Sequence, residues 1–247
     1  MRELPIIMGA DSVRAILDGR KTQTRRVVNK KALDRFKLSP SGELFGSFNE
    51  SNPEWVIYPT VDDAPYRVGD RLWVKETWGV GCRPDPNSGW VDGIEYKADE
   101  SYLDDIESLP LRVIDDQDLD KYQRAGWNSP MFMPRWASRI TLEITDIRVD
   151  RLQDITEDDA LAEGIISNEE YEARASEGNL FPCPRCKGYQ VHEAFGYDYG
   201  ITEVDCNCCD TQKKRYRIVW DSLNAKRGYP WESNPWVWVV SFKVGKV

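Results

Sequence analysis

The positions of the cysteines constrain the fold of this chain more than any other feature of its sequence. Five of the six cysteines lie in two groups, Cys183-Pro-Arg-Cys186 and Cys206-Asn-Cys208-Cys209, with nineteen residues between the groups. Such spacing is typical of zinc knuckles, in which each turn supplies two thiolates to a tetrahedral ion. The sequence therefore predicts one structural Zn²⁺ in a zinc-ribbon-like subdomain at about residues 180–212, with the ligands Cys183, Cys186, Cys206 and Cys209.

Other interpretations of the cysteines stay open at this point. Cys208 or His192, the single histidine of the chain, is able to replace one of the four ligands. A disulfide or a set of unengaged thiols would need no metal, although disulfides are rare in cytoplasmic proteins. A site closed by four thiolates leaves no position for a substrate, so we expect the ion to stabilise a loop and to take no part in catalysis. No organic cofactor is predicted, and the isolated Cys82 is expected to be a small apolar residue of the interior.

Alternation and helical periodicity predict an α+β protein. Strands are predicted, from alternating apolar and polar residues, at 22–28, 71–75, 140–149 and 236–242. Helices are predicted at about 11–17, 156–163 and 216–223, with Thr156 as the N-cap and Gly164 as the stop of the second helix. In the strand at 22–28, Thr24 and Arg25 are predicted to point to opposite faces. Because strands dominate and no βαβ alternation is present, the pattern favours a small mixed β-barrel with short flanking helices. We predict a single domain over residues 1–247 with irregular insertions at about 38–66, 80–130 and 166–214.

The charge of the chain is distributed unevenly. The 247 residues carry a formal net charge of −9, whereas residues 1–40 contain ten basic and four acidic side chains. Acidic residues dominate the segments 92–120 and 150–178. A protein this acidic repels polyanions as a whole, which excludes a generic DNA-coating protein. Any anionic ligand is therefore expected at the basic N-terminal end.

The sequence gives no indication of export or of a membrane partner. No window approaches the roughly 18 consecutive apolar residues of a transmembrane helix. The residues from Met1 to Pro5 lack the basic and apolar regions of a signal peptide. We therefore expect a cytoplasmic protein.

The run Gly19-Arg-Lys-Thr-Gln-Thr-Arg-Arg26 is the densest cluster of reactive side chains in the chain. Together with Arg67-Val-Gly-Asp-Arg-Leu-Trp73, Ile155-Thr-Glu-Asp-Asp-Ala-Leu-Ala-Glu-Gly164 and Asn234-Pro-Trp-Val-Trp-Val-Val-Ser-Phe242, it resembles the ASCH domain family, which has a PUA-like β-barrel fold. The similarity is greatest to the variants encoded by phages and prophages. The resemblance implies a barrel with a cleft for a nucleoside, a nucleotide or RNA.

Some small ASCH proteins are N4-acetylcytidine amidohydrolases that use a lysine, a threonine and a glutamate. The resemblance places these catalytic roles on Lys21, Thr24 and Glu163. It also makes Arg20, Arg25 and Arg26 the candidates for binding the substrate or nucleic acid. The chemistry is reasonable, because a lysine with a lowered pKa can take the proton of a threonine hydroxyl. Glu163 would then carry a proton to the leaving amine, and Arg26 would stabilise the oxyanion.

Competing interpretations accompany this catalytic hypothesis. The basic residues are also consistent with a solvated rim, and Glu76 is a competing carboxylate unless it is paired with an arginine. Aromatic side chains that could stack on bases include Trp73, Trp78 and Trp136. Three functions therefore stay open: an N4-acylcytidine amidohydrolase, a non-catalytic module that binds RNA or a modified base, and a ribonuclease, for which the chain lacks a histidine pair.

Overall fold

The structure is a computed structural model, and it describes residues 1–28, 37–38, 44–45, 64–85, 89–103, 126–176, 183–187, 191–195 and 201–245. These residues form a mixed α+β protein with a five-stranded sheet and short helices, so the predicted α+β class is confirmed. Closure of the sheet into a PUA-like barrel stays a prediction. Among the described residues, no helix has the length and apolar character needed to cross a membrane.

The elements follow one another as a series of strands interrupted by short helices. The strands are β1 (Glu3–Ile7), β2 (Gln23–Val27), β3 (Lys37–Leu38), β4 (Leu44–Phe45), β5 (Arg71–Lys75), β6 (Trp78–Asp85), β7 (Gly89–Tyr96), β8 (Tyr102–Leu103), β9 (Thr141–Arg151), β10 (Val191–Phe195), β11 (Ile201–Asp205) and β12 (Trp236–Val244). The α-helices are α1 (Ala10–Leu17), α2 (Glu157–Ala162), α3 (Asn168–Ser176) and α4 (Gln212–Asn224). Single 3₁₀ turns lie at Pro130–Phe132, Arg135–Ala137, Leu152–Asp154, Ala225–Arg227 and Trp231–Ser233.

The largest sheet has the strand order β1-β5-β9-β12-β2. Strand β1 pairs with β5 in parallel, whereas the pairs of β5 with β9 and of β12 with β2 are antiparallel. Three smaller antiparallel sheets have the orders β3-β4, β6-β7-β8 and β10-β11. The hairpin of β10 and β11 lies in the sequence between the two cysteine groups, as a zinc-ribbon-like segment would require.

The chain divides into two compact units. The first contains Met1–Gly19, Tyr66–Asp146 and Phe242–Val247, and the second contains Arg20–Pro65 and Ile147–Ser241. A core cluster of the first unit consists of Trp78, Ile94, Tyr96, Met133 and Ala137. A core cluster of the second unit consists of Leu152, Ile155, Ala160, Ile165, Tyr216, Trp220, Trp231, Val237 and Val239. The predicted single domain with three insertions stays a prediction.

Helix α2 has the termini that its sequence predicts. Thr156 is its N-cap, and a capping box joins the Thr156 hydroxyl to the backbone N–H of Asp159 and the Asp159 carboxylate to the backbone N–H of Thr156. Gly164 follows the C-cap, Glu163, with a φ of 91°, a conformation that favours glycine. Asp159 and Glu163 are four residues apart, so both side chains lie on one face of this short helix.

One of the predicted stacking residues belongs to the core of the first unit. Trp78 is fully buried and packs edge-on against Trp136, with the ring centroids 5.6 Å apart. An indole in that position has no face free for a nucleobase. Trp73 is half-buried, and its ring lies near two cations, with Lys75 Nζ 5.4 Å and the Arg135 guanidinium 5.9 Å from its centroid.

Candidate functional site

Lys21 and Glu163 form a buried ion pair in the second unit. Lys21 Nζ donates to Glu163 Oε2 at 2.7 Å and to the backbone carbonyl of Glu163 at 2.7 Å. The two side chains are 4% and 5% exposed. A backbone hydrogen bond of 2.8 Å from Thr22 N–H to the Ala162 carbonyl joins the segment before β2 to the last turn of α2. This bond holds the lysine and the glutamate side by side.

Strand β2 extends the ion pair into a network along the same face of α2. Arg25 donates from Nη1 to Glu163 Oε1 at 3.3 Å and from Nη2 to Asp159 Oδ2 at 2.9 Å. Gln23 Nε2 donates to Asp159 Oδ1 at 3.2 Å. Arg148 of β9 donates to the same oxygen at 2.9 Å. We call these six residues, with Lys21 and Glu163 included, the α2 network.

Burial and charge act against each other in the α2 network. Burial lowers the pKa of Lys21, and the neighbouring guanidinium groups of Arg26 and Arg25 lower it further, although the Glu163 carboxylate opposes the shift. Burial opposes the ionisation of Asp159, but Arg25 and its other partners hold the pKa of that carboxyl below its usual range. Burial raises the pKa of Tyr216, whose ring centroid is 6.0 Å from the Arg25 guanidinium, so its hydroxyl stays protonated.

Thr24 lies apart from the ion pair that was expected to activate it. It pairs with Val240 of β12, and its neighbours Gln23 and Arg25 both contact Asp159. Because successive side chains of a strand point to opposite faces, the Thr24 side chain points away from the face of β2 that carries the α2 network. Within the described part of the chain, no hydrogen bond joins Thr24 to Lys21 or Glu163.

The three candidate arginines lie in different surroundings. Arg25 is fully buried, and its guanidinium is engaged by two carboxylates. Arg20 donates from Nη1 to the carbonyl of Gly164 at 3.1 Å, and Arg26 is half-buried opposite Trp238 in the sheet. Arg20 and Arg26 therefore have more exposed surface than Arg25 for an anionic ligand.

Sequence reasoning found Lys21, Arg25 and Glu163 but missed the residues that complete the α2 network. Asp159 is the residue with the most partners, and two signals pointed to it: its spacing of four from Glu163 and its place in the capping box. The alternation in the strand predicted at 22–28 also placed the Gln23 and Arg25 side chains on one face. Arg148 carried no comparable local signal, because it comes from a distant strand.

The competing carboxylate, Glu76, lies in a separate network within the first unit. Arg139 donates from Nε to Glu76 Oε1 and from Nη2 to Glu76 Oε2, both at 2.9 Å. The same guanidinium contacts the Asp99 carboxylate at 2.8 Å and lies 4.0 Å from the centroid of the Tyr96 ring. Burial raises the pKa of Glu76, although Arg139 opposes the shift. Glu76 thus has the arginine partner that a structural role requires.

Four cysteines of the second unit form a buried cluster with the geometry of a metal site. The sulfur atoms are 3.8 Å apart between Cys183 and Cys206, 3.5 Å between Cys186 and Cys209, and 3.8 Å between Cys209 and Cys206. A disulfide requires about 2.05 Å, so these thiols are not bonded in pairs. A tetrahedral ion with Zn–S bonds of about 2.3 Å separates its sulfur ligands by about 3.8 Å. The cluster is therefore compatible with one structural zinc ion.

The cluster consists of the four cysteines that the sequence predicts as zinc ligands. Cys183, Cys186, Cys206 and Cys209 offer sulfur atoms that all lie within 4.8 Å of one another. Cys208 lies outside this set, with its sulfur 3.9 Å from Arg185 Nη1. The side chains of His192 and Cys82 lie outside the described residues, so the alternative of a histidine ligand stays a prediction.

A cavity of about 370 Å³ lies beside the cysteine cluster. Its lining includes Asn168, Tyr171, Glu172, Asp205, Cys206, Asn207, Cys209 and Asp210. Three carboxylates in this lining repel phosphate, so the cavity does not suit the nucleotide or RNA that the basic N-terminal segment suggests.

Comparisons with protein-family models, with curated proteins and with solved structures give no significant match to this chain. The resemblance to the ASCH family therefore depends on the sequence motifs alone and stays a prediction.

Proposed function

We propose that this protein is an ASCH-type amidohydrolase that removes an acyl group from N4 of a cytidine-type nucleoside, free or within RNA. The main support is the contact of 2.7 Å between Lys21 Nζ and Glu163 Oε2 in a buried position. General acid–base catalysis needs groups that exchange protons near neutral pH, and burial shifts the pKa of Lys21 towards that range. The Glu163 carboxylate beside it is a second group that can carry the proton.

The proposed reaction divides into two steps. Thr24 Oγ bonds to the acyl carbon and its proton passes to neutral Lys21, while the bond from the acyl carbon to N4 breaks and Glu163 supplies the proton that N4 needs. Water then hydrolyses the acyl-threonine ester, which releases the carboxylic acid and restores the Thr24 hydroxyl. The proton held by Lys21 passes to Glu163 across their 2.7 Å contact, which returns both groups to their starting protonation states. Because the Thr24 side chain points to the other face of β2, this route requires residues 20–24 to rearrange when the substrate binds.

The test uses N4-acetylcytidine, with product detected by mass spectrometry. We expect the variants Lys21→Met, Glu163→Gln and Thr24→Ala each to lose at least about 100-fold in kcat/KM, since groups that act as a unit fail together. Thr22→Ala is the matched control, because Thr22 is exposed and lies two residues from Thr24. Turnover that is absent in the wild type, or equal in Lys21→Met and the control, contradicts the proposal.

A second candidate function is a module that binds RNA or a modified base without turnover. The observation that favours it is the separation of Thr24 from the α2 network, since binding needs no nucleophile. In this case Arg20 and Arg26, which are more exposed than Arg25, would contact phosphate. Arg20→Ala and Arg26→Ala should then weaken the binding of short RNAs and reduce its salt dependence, while N4-acetylcytidine stays intact.

We also propose that the cysteine cluster binds one structural Zn²⁺ through Cys183, Cys186, Cys206 and Cys209. The sulfur separations and the burial of the four thiols support this assignment. A closed tetrathiolate site supplies folding free energy and no open coordination position. Metal analysis of reduced protein should find one zinc per chain in the wild type and a large loss in Cys183→Ser, whereas Cys208→Ser should keep the metal.

A further inference from the structure

Arg215 of α4 carries a buried guanidinium group. Its side chain has no exposed surface, and Nη2 donates to the side-chain oxygen of Asn168. Its Nε and Nη1 atoms are buried and have no hydrogen-bond partner among the described residues. No carboxylate of the described ranges forms an ion pair with this guanidinium. A charge removed from water in this way is strongly unfavourable unless a counter-charge lies close by.

A chain of contacts leads from Arg215 through Tyr171 to the cysteine cluster. The Arg215 guanidinium lies over the Tyr171 ring, 4.5 Å from its centroid. The Tyr171 hydroxyl is 3.0 Å from Cys209 Sγ. Tyr171 and the four cysteines belong to one buried cluster. Four thiolates around a divalent ion leave a formal charge of −2 on the centre.

We propose that Arg215 is the buried counter-cation of a dianionic tetrathiolate metal centre and that Tyr171 donates a hydrogen bond to the Cys209 thiolate. This inference rests on the proposed zinc site and adds two positioning residues to it. Helix α3 supplies both Asn168, which orients the guanidinium, and Tyr171, three residues later on the same face. Outer partners of this kind fix the orientation of metal ligands and tune their affinity.

The proposal has a consequence that a packing role for Arg215 does not share. In the metal-free form the guanidinium is a buried charge whose carboxylate neighbours, Glu157 and Asp210, act on it without ion-pair contact and do not outweigh the cost of burial, so it destabilises that form. When the thiolates bind zinc, the same charge is compensated, so it stabilises the zinc form. Replacing Arg215 by an apolar side chain of similar length should therefore raise the stability of the metal-free form and lower the stability of the zinc form.

The experiment measures zinc affinity by chelator competition, and thermal unfolding of the metal-free and zinc-loaded full-length protein, both under reducing conditions. We expect Arg215→Met to weaken zinc binding by about 10- to 100-fold, to raise the unfolding temperature of the metal-free protein and to lower that of the zinc form. Arg215→Lys should recover part of the affinity, because it restores the charge. Arg217→Met is the matched control on the same helix, since Arg217 is half-exposed and pairs with Glu232, and it should bind zinc like the wild type.

Tyr171→Phe keeps the ring under Arg215 and removes only the hydroxyl. It should weaken zinc binding by about tenfold while the protein stays folded, which keeps the test decisive if Arg215→Met folds poorly. Wild-type affinity in both Arg215→Met and Tyr171→Phe overturns the inference, as does an equal loss of thermal stability in both forms of Arg215→Met. A wild-type protein that binds no zinc overturns the metal proposal and this inference with it.

Discussion

Two buried glutamates of this protein, Glu163 and Glu76, have cationic partners of different chemistry. Glu163 is bound by Lys21 and Arg25 within the second unit, whereas Glu76 is bound by both arms of the Arg139 guanidinium within the first unit. A bidentate guanidinium is rigid and stays charged, whereas a buried ammonium can lose its proton. Burial lowers the pKa of Lys21, but Glu76 and Asp99 hold the pKa of Arg139 above its usual range.

The chemistry of the cation determines whether the protonation of each buried ion pair can change. The Glu76 pair resists any change of protonation on its cation, which suits a structural crosslink. The Glu163 pair contains an ammonium group whose pKa burial lowers, and Arg25 contacts the same carboxylate. The Lys21 pair is therefore the better candidate for chemistry, although Glu76 is the more deeply buried of the two glutamates.

The largest expected effect is on the stability of the first unit. Arg139→Met leaves Glu76, which is 1% exposed, without its counterion, and the loss of one partner from a buried pair costs about 3–5 kcal/mol. Urea denaturation measures this loss as a change in the free energy of unfolding. Arg71→Met is the matched control, because Arg71 and Glu3 are both half-exposed and Arg71 Nη1 lies 4.0 Å from Glu3 Oε1. A loss below about 1 kcal/mol would show that the Glu76 pair is not a structural crosslink.

A smaller loss is expected in the second unit. Lys21→Met leaves Glu163 with Arg25 as a partner at 3.3 Å, so we expect a cost of about 1–3 kcal/mol. The same denaturation measurement gives the value, with Lys243→Met as a control for an exposed lysine that pairs with Glu143. If Lys21→Met destabilises the protein more than Arg139→Met, Arg25 does not compensate Glu163 and the comparison between the two pairs is wrong.

The smallest effect is on the pH dependence of stability, and it has opposite signs in the two networks. Lys21 has a lowered pKa in the folded protein, so the unfolded chain binds more protons between that pKa and about 10.4. Stability should therefore rise with pH in this window, by at most about 1.4 kcal/mol per pH unit. Glu76 has a raised pKa, so stability should fall as pH rises from about 4.3 through the folded pKa.

Denaturation curves measured from acid to alkaline pH test both slopes. Lys21→Met should remove the rise in stability at alkaline pH and keep the fall in stability at acid pH. Glu76→Gln should remove the fall at acid pH and keep the rise at alkaline pH. Identical pH profiles for the two variants would mean that neither residue titrates differently in the folded and unfolded chain.

Sequence determined the local features of this protein. The cysteine spacing predicted the four residues of the metal-compatible cluster, because two turns of Cys-x-x-Cys bring their thiols together through short-range geometry. Thr156 and Gly164 likewise predicted both ends of α2, since capping depends on neighbouring residues. The alternation in residues 22–28 predicted β2 and the opposite directions of Thr24 and Arg25.

Only the tertiary structure decided which charges meet. Lys21 and Glu163 are separated by 142 positions, and Glu76 and Arg139 by 63. No local pattern specifies such a pairing, because it depends on the order of strands in the sheet and on which helix packs beside them. The sequence also could not show that the buried Arg215 forms no ion pair with a carboxylate of the described residues, since the period of a helix places a residue on a face but does not say what lies against that face.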